Sequence, residues 1–302
     1  MDQATDYRGR LAPSPTGYLH LGHARTFWTA QERARARGGT LILRNENIDA
    51  ARFNLEFVEA MLEDLRWFGL AWSEGPDIGG PFAPYSQSER MDVYRAALDQ
   101  LRARNLIYPC TCSHSDIRAA VSAPHGSDDE VIYPGTCRPK GDNWQVTGAM
   151  KLPAAAKSRI TAESPRAANW RFRVPAGETI AFIDGNFGPQ KFVAGKDFGD
   201  FVVWRGDGVP AYQLACVVDD AAMKITEVVR GADLLASTAR QLLLYRALEL
   251  VPPAFFHCEL LCDASGKRLA KRHDALSLRQ LRARGENPLN LRAGGSDKIS
   301  GS

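Results

Sequence analysis

The chain of 302 residues is 44% hydrophobic and 24% charged with a net charge of +3, which suits a soluble globular protein of roughly two domains. No apolar run approaches the roughly 18 residues that cross a bilayer, and residues 1–10 lack the apolar stretch of a signal peptide, so the cytoplasm is the expected, default compartment. Six grouped cysteines fit reduced thiols or metal ligation better than a disulfide framework, and the mildly basic charge permits nucleic-acid binding without requiring it.

In chain order, residues 7–12 predict a short strand, 13–18 a constrained turn, and 22–37 a helix with Ala24, Phe27 and Trp28 on one face, stopped at Gly38-Gly39. Residues 40–44 (TLILR) read as a buried strand, and Asn54 caps a helix that keeps Val58, Met61, Leu62 and Leu65 at helical spacing up to Gly69. This alternation predicts a parallel sheet covered by helices, with ligands beyond the C-terminal ends of the strands.

From Cys110 to about Gly199 prolines and glycines are frequent and helical periodicity is weak, with short strand-like pieces such as TIAFID (179–184); this segment reads as an insertion. The α/β rhythm resumes with DFVVWR (200–205), a helix after Tyr212, the strand ITEVV (225–229) and a Leu-rich helix over 234–250. The expected organisation is therefore 7–109 and 200–252 as halves of one sheet domain, 110–199 as the insertion, and 253–285 as a following segment. That segment holds a strand, a basic loop and a short helix, and a disordered tail is expected over 286–302.

The stretch APSPTGYLHLGHART (12–26) combines Gly17 and Gly22, which allow close backbone approach, with His20 and His23 beside a helix start. Helix amides and two imidazoles at that point can donate to phosphate oxygens. The plainer alternative is a proline-rich turn with two surface histidines.

The same stretch resembles the first signature of class I aminoacyl-tRNA synthetases, in the form used by the glutamyl and glutaminyl branch. LRNENID (43–49), APYSQSER (83–90), VPAYQLACVVDD (209–220), VVRGADLL (228–235) and GKRLAKRHDALSL (266–278) follow the branch in sequence and order. The resemblance implies a Rossmann-type parallel sheet split by a zinc-containing, acceptor-type insertion, with a short C-terminal stem-contact segment. It implies that His20, His23 and Lys271 contact ATP phosphates, with Mg²⁺ accompanying ATP. In the second signature Arg268 stands for a lysine and Ala270 for a serine. It further implies that Arg10, Leu11, Ala12, Pro13, Ser14, Glu46, Tyr212 and Arg230 line the amino-acid pocket, Glu46 taking the substrate ammonium.

Charge selects the amino acid. Arg230 follows a strand, where an α/β sheet presents ligand groups, and a guanidinium there can pair bidentately with a second carboxylate. Glutamine would leave it without an anion, so glutamate is expected; the alternative is a structural pair with Asp233. Asn47 stands where the branch usually has aspartate, and Cys216 where a polar residue is common.

Cys110, Cys112 and Cys137 offer three soft thiolates suited to one structural Zn²⁺. The residues leave the fourth position to water, His114, His125 or Tyr133, and the resemblance favours Tyr133. Cys258 and Cys262, with His257 alongside, read as packing residues.

About fifty residues follow Pro252, too few for the anticodon-binding domain of a charging enzyme. The pattern is similar to the truncated paralogues of the branch, which attach glutamate to the queuosine base in the anticodon of tRNA(Asp). The alternatives are a fragment that charges tRNA with glutamate and a catalytically impaired RNA-binding paralogue. Arginines 33, 35, 37, 268, 272, 279, 282 and 284 are candidates for phosphate contacts with tRNA, or else solvated helix faces. A monomer is expected.

Overall fold

The computed structural model describes residues 7–49, 54–113, 115–117, 132–141, 168–261 and 277–292. Lys271, Arg268, Ala270, Arg272, His114, His125 and Cys262 lie outside these residues. Among them the chain forms β1 (Arg8–Leu11), α1 (Leu21–Ala36), β2 (Thr40–Leu43), α2 (Leu55–Trp67), α3 (Met91–Ala103), β3 (Ile107–Cys110), β4 (Asn169–Phe172), β5 (Thr179–Asp184), β6 (Gly188–Val193) and β7 (Phe201–Trp204). Helix α4 (Tyr212–Ala222), β8 (Glu227–Gly231), α5 (Leu235–Ala247), β9 (Ala254–Cys258), α6 (Leu278–Ala283) and α7 (Pro288–Arg292) complete it. The chain divides into two compact units, one of residues 1–89, 224–233 and 254–302, the other of 90–223 and 234–253.

The first unit carries a parallel α/β arrangement as expected, but with different members: β7, from DFVVWR, pairs antiparallel with β4 in the second unit, while β9, beyond Pro253, pairs in parallel with β8 here. β1 and β2 pair in parallel from Arg8 opposite Thr40 to Leu11 opposite Leu43, and β8 and β9 pair in parallel from Glu227 opposite Ala254 to Gly231 opposite Cys258. Thr226 joins them: its N–H donates to Arg8 O at 2.9 Å, and its hydroxyl accepts from Arg8 N at 2.8 Å. β1 is buried along its whole length, as expected of strands covered on both faces. Its core gathers Leu11, Leu43, Leu21, Ala24, Phe27, Leu65, Phe68 and Val229, so the helical spacing read for α1 and α2 marks their buried stripes. β8 starts two residues later than ITEVV suggests, because Lys224 takes a left-handed φ of 55° and the chain is still turning there.

Two elements depart from the sequence reading. Helix α3, unassigned on sequence, buries Tyr94, Ala97 and Leu101 at helical spacing. Helix α7 stands inside the segment read as a disordered tail: Leu291 packs on the core, Arg25 Nε donates to Leu291 O at 3.1 Å, and the Arg292 guanidinium lies 4.3 Å from the Trp28 ring. A cation over an indole holds a polar sequence that hydrophobicity alone leaves unplaced.

The second unit carries an antiparallel sheet in the order β3-β4-β7 and the hairpin β5-β6, registered from Thr179 opposite Val193 to Asp184 opposite Gly188. Asp219 of α4 is fully buried, accepting from Arg90 Nε at 2.7 Å and from the Tyr94 hydroxyl of α3 at 2.9 Å.

Candidate active site and metal centre

His20 is the N-cap of α1. Its Nδ1 accepts the Gly22 N–H at 3.1 Å, while His23 Nδ1 accepts the His20 N–H at 3.3 Å, a reciprocal capping box built from two imidazoles. A Cβ on residue 22 would sit 2.9 Å from the His20 ring, so any other side chain there would push that ring out of its cap. With Nδ1 of each ring accepting, the neutral imidazoles carry their protons on Nε2. The rings lie 3.7 Å apart, centroid to centroid, at the positive end of a 16-residue helix. That is a place for an anion, with two ring N–H donors added to the helix end. Ser277 forms a bridge with His20, and Leu278 N donates to Leu19 O at 2.7 Å, so the end of the second-signature segment lies beside the first histidine.

The amino-acid residues of the first unit converge on the ends of β1, β2 and β8. Arg10 Nη1 donates to Val229 O at 2.9 Å, tying it to the residue before Arg230. Glu46 N donates to Pro13 O at 3.0 Å, which brings Glu46 to Ser14 and its neighbours. The Glu46 carboxylate accepts from Arg44 Nη2 at 3.0 Å, and Arg44 is fully buried. Arg44 escaped the sequence reading, although its i, i+2 spacing from Glu46 at a strand end was the available signal. Asn47 makes two bonds with Ser88: Nδ2 donates to Oγ at 2.9 Å, and Oδ1 accepts from N at 3.0 Å.

Arg230 is the register partner of His257, and its Nε donates to His257 Nε2 at 3.1 Å. The sequence places His257 alongside packing residues, and only strand pairing reveals it as a neighbour of Arg230. Tyr212 belongs to the second unit and is exposed at the start of α4.

In the second unit the Sγ atoms of Cys110, Cys112 and Cys137 lie within 4.8 Å of one another, those of Cys112 and Cys137 at 3.5 Å. The Tyr133 oxygen is 3.4 Å from Cys110 Sγ and 3.8 Å from Cys112 Sγ, and accepts the Cys137 N–H at 2.7 Å. Tetrahedral Zn²⁺ with bonds of about 2.3 Å to sulfur places its thiolates roughly 3.8 Å apart. The donor set therefore fits such an ion. The Cys137 thiol's hydrogen bond lowers the Cys110 pKa to about 4, helped by Tyr133 and by Arg171. Burial raises that of Tyr133. The direction at Cys110 favours the thiolate form a cation binds.

The sequence profile for the catalytic domain of class I tRNA synthetases (E and Q) matches residues 6–294. The glutamyl-Q tRNA(Asp) synthetase of Nitratidesulfovibrio vulgaris (strain Hildenborough) is 49% identical over 284 residues, covering 94% of this chain and 83% of that protein. That of Symbiobacterium thermophilum is 50% identical over 288 residues, covering 93% and 82%. The chain belongs to the glutamyl-Q tRNA(Asp) synthetase family. A solved glutamate tRNA ligase from Elizabethkingia meningosepticum, in complex with its amino acid, superposes with a TM-score of 0.72 at 34% identity, over 88% of this chain and 52% of that one. The parallel sheet of the first unit is thus a class I, Rossmann-type synthetase sheet, and the chain spans about half the length of that ligase.

Within this synthetase the candidate tRNA-contacting arginines divide. Glu227 binds Arg33 through two contacts of 2.7 Å, with Arg37 at 3.4 Å and the Tyr7 hydroxyl at 2.8 Å. Burial works against this carboxylate, but the bonds from Arg33 and Tyr7 outweigh it and hold its pKa below the usual value. Arg33 and Arg37 are therefore tied into the fold of their unit. Arg35 pairs with Glu32, Arg279 with Glu56, and Arg282 with Glu63 on the surface. Among the described residues no helix is long and apolar enough to cross a membrane.

Proposed function

We propose that this synthetase activates L-glutamate with ATP and transfers it to the queuosine base in the anticodon of tRNA(Asp). The observation that carries the reading is the presence, in one unit, of the reciprocally capped His20–His23 pair and a buried arginine at the carboxyl end of β8. The first suits the phosphates of ATP and the second a substrate with a second carboxylate. The glutamyl-Q tRNA(Asp) synthetases similar to it over most of their length support the tRNA assignment.

In the first step an α-carboxylate oxygen of glutamate bonds to the α-phosphorus of ATP, and the bond from that phosphorus to the bridging oxygen breaks. Pyrophosphate leaves with the electron pair. His20 and His23 meet the growing charge through Nε2–H, and Lys271 of the second signature adds a cation, while Mg²⁺ enters with ATP. Glu46 receives the substrate ammonium, and Arg10, residues 11–14 and Arg230 orient the rest. In the second step a hydroxyl of the queuosine cyclopentene ring attacks the acyl carbon and AMP departs. Positioning carries both steps, and no side-chain nucleophile is needed.

Cys110, Cys112, Cys137 and Tyr133 would hold one Zn²⁺, which supplies a cross-link for the insertion rather than reaction chemistry. We assign 110–199 to that insertion and 7–109 and 200–252 to the catalytic halves; of the segment 253–285, β9 belongs to the parallel sheet, and we assign the remainder to stem contact.

The reading is tested by glutamate-dependent exchange between ATP and pyrophosphate without tRNA, then by transfer of labelled glutamate to tRNA(Asp) with and without queuosine. Exchange together with queuosine-dependent labelling is expected. The glutamate–tRNA ligase 2 of Nitrosococcus oceani, 42% identical but only 57% covered, supplies the second reading, 3'-end charging. Labelling of queuosine-free tRNA that is lost when the 3'-terminal adenosine is removed would establish that reading in its place.

A further inference from the structure

We propose that His257 is a positioning residue for amino-acid selection: as a neutral acceptor it orients the Arg230 guanidinium without cancelling the charge that meets the substrate's second carboxylate. The inference rests on the assignment of Arg230 to that carboxylate.

The geometry is set by strand pairing. Arg230 on β8 and His257 on β9 stand opposite each other in a parallel register, with Val228 opposite Phe255 two residues earlier. On a strand, residues two apart share a face, so Phe255 and His257 line the same side of β9. Their rings are nearly parallel, 17° apart with centroids at 6.5 Å, and the Arg230 guanidinium lies 5.5 Å from the Phe255 ring. His257 is 0% exposed and Arg230 5%. The Phe255 ring and the directional bond to His257 both constrain the plane of the guanidinium.

The chemistry of that bond decides the protonation state of the imidazole. Arginine is an obligate donor, so at 3.1 Å from Arg230 Nε the His257 Nε2 atom must be the acceptor. The imidazole is then neutral, with its proton on Nδ1. A buried carboxylate at this position would hold the arginine at least as firmly, but its charge would compete with that of the substrate. An imidazole contributes direction and no charge. It also engages the Nε edge of the guanidinium, the edge beside the side-chain stem, while bidentate recognition of a carboxylate can use the terminal nitrogens.

The test is steady-state exchange between ATP and pyrophosphate with glutamate and with glutamine, for the wild-type chain and for His257→Gln, His257→Leu and His257→Glu, each with a thermal melt. Gln keeps an uncharged acceptor near the Nε2 position, Leu removes it, and Glu replaces it with a charged one. The expected result is a KM for glutamate raised roughly tenfold or more in the Leu and Glu variants and largely restored in the Gln variant. The KM for ATP should stay within about twofold of wild type. The preference for glutamate over glutamine should fall furthest in His257→Glu, although that variant keeps a paired arginine and a near-native melt.

A Leu or Glu variant with the wild-type glutamate KM and preference overturns the proposal. So does loss of the folded melt in both the Gln and Leu variants, which would assign His257 to the fold alone. A wild-type chain that shows no preference for glutamate overturns the Arg230 assignment itself, and this inference with it.

Discussion

Asn47 shows how a single departure from a family pattern is absorbed. Its carboxamide clasps Ser88 with one donated and one accepted bond, and an aspartate could accept both, because a serine hydroxyl donates as readily as it accepts. Asn47→Asp should therefore leave glutamate-dependent exchange within about threefold of wild type, whereas Asn47→Ala removes the clasp beside Glu46 and should raise the glutamate KM. Glu46 itself is held by fully buried Arg44. Glu46→Gln takes the anion from that pair, and the expected loss is on the order of 3 kcal/mol of unfolding free energy in urea, besides the loss of substrate ammonium binding.

Helices α2 and α6 carry their predictions at their ends and at one buried carboxyl. The Asn54 side chain accepts the Glu56 N–H at 2.9 Å as the N-cap of α2, so Asn54→Ala should lower stability by about 1 kcal/mol. Within α2, Asp64 is fully buried, with Arg282 Nη1 of α6 at 3.5 Å. Burial raises its pKa to about 6, against the opposing charges of Arg282 and Arg279. A folded-state value above the unfolded one means that the native chain holds more proton between about pH 4 and about pH 6. The group's contribution to stability is therefore greatest on the acid side and falls as pH rises through that window. The urea midpoint of the wild-type chain should drop more between about pH 4 and about pH 7 than that of Asp64→Asn, and equal drops would remove Asp64 from the account.

At the scale of the molecule, the chain passes between its two units at residues 89–90, 223–224, 233–234 and 253–254, so each unit is assembled from separated segments. His20, His23 and Arg230 belong to one unit and the cysteine cluster to the other. Cys112→Ser should abolish stoichiometric zinc binding, read by a chromophoric chelator after thiol modification, and should lower the melting temperature. His20 and His23 lie in the other unit, so the effect on the KM for ATP should be smaller than the effect on stability. A chain purified without zinc that melts like the metal-loaded one would exclude a structural ion.

Local sequence determined much of this protein. The apolar runs and helical stripes of β1, α1, β2 and α2, the cap at Asn54 and the histidine pair at a helix start are legible because each depends on residues within a few positions of one another. Tertiary structure alone decided the rest. The Arg230–His257 bond requires the β8-β9 register across 27 positions, and the Arg33–Glu227 pair joins residues separated by 194. Helix α7 is held by contacts with Trp28 and Arg25 that no local pattern announces. Such side chains are chosen by partners that only strand pairing and packing bring within hydrogen-bond distance, so their roles are absent from any short window of sequence.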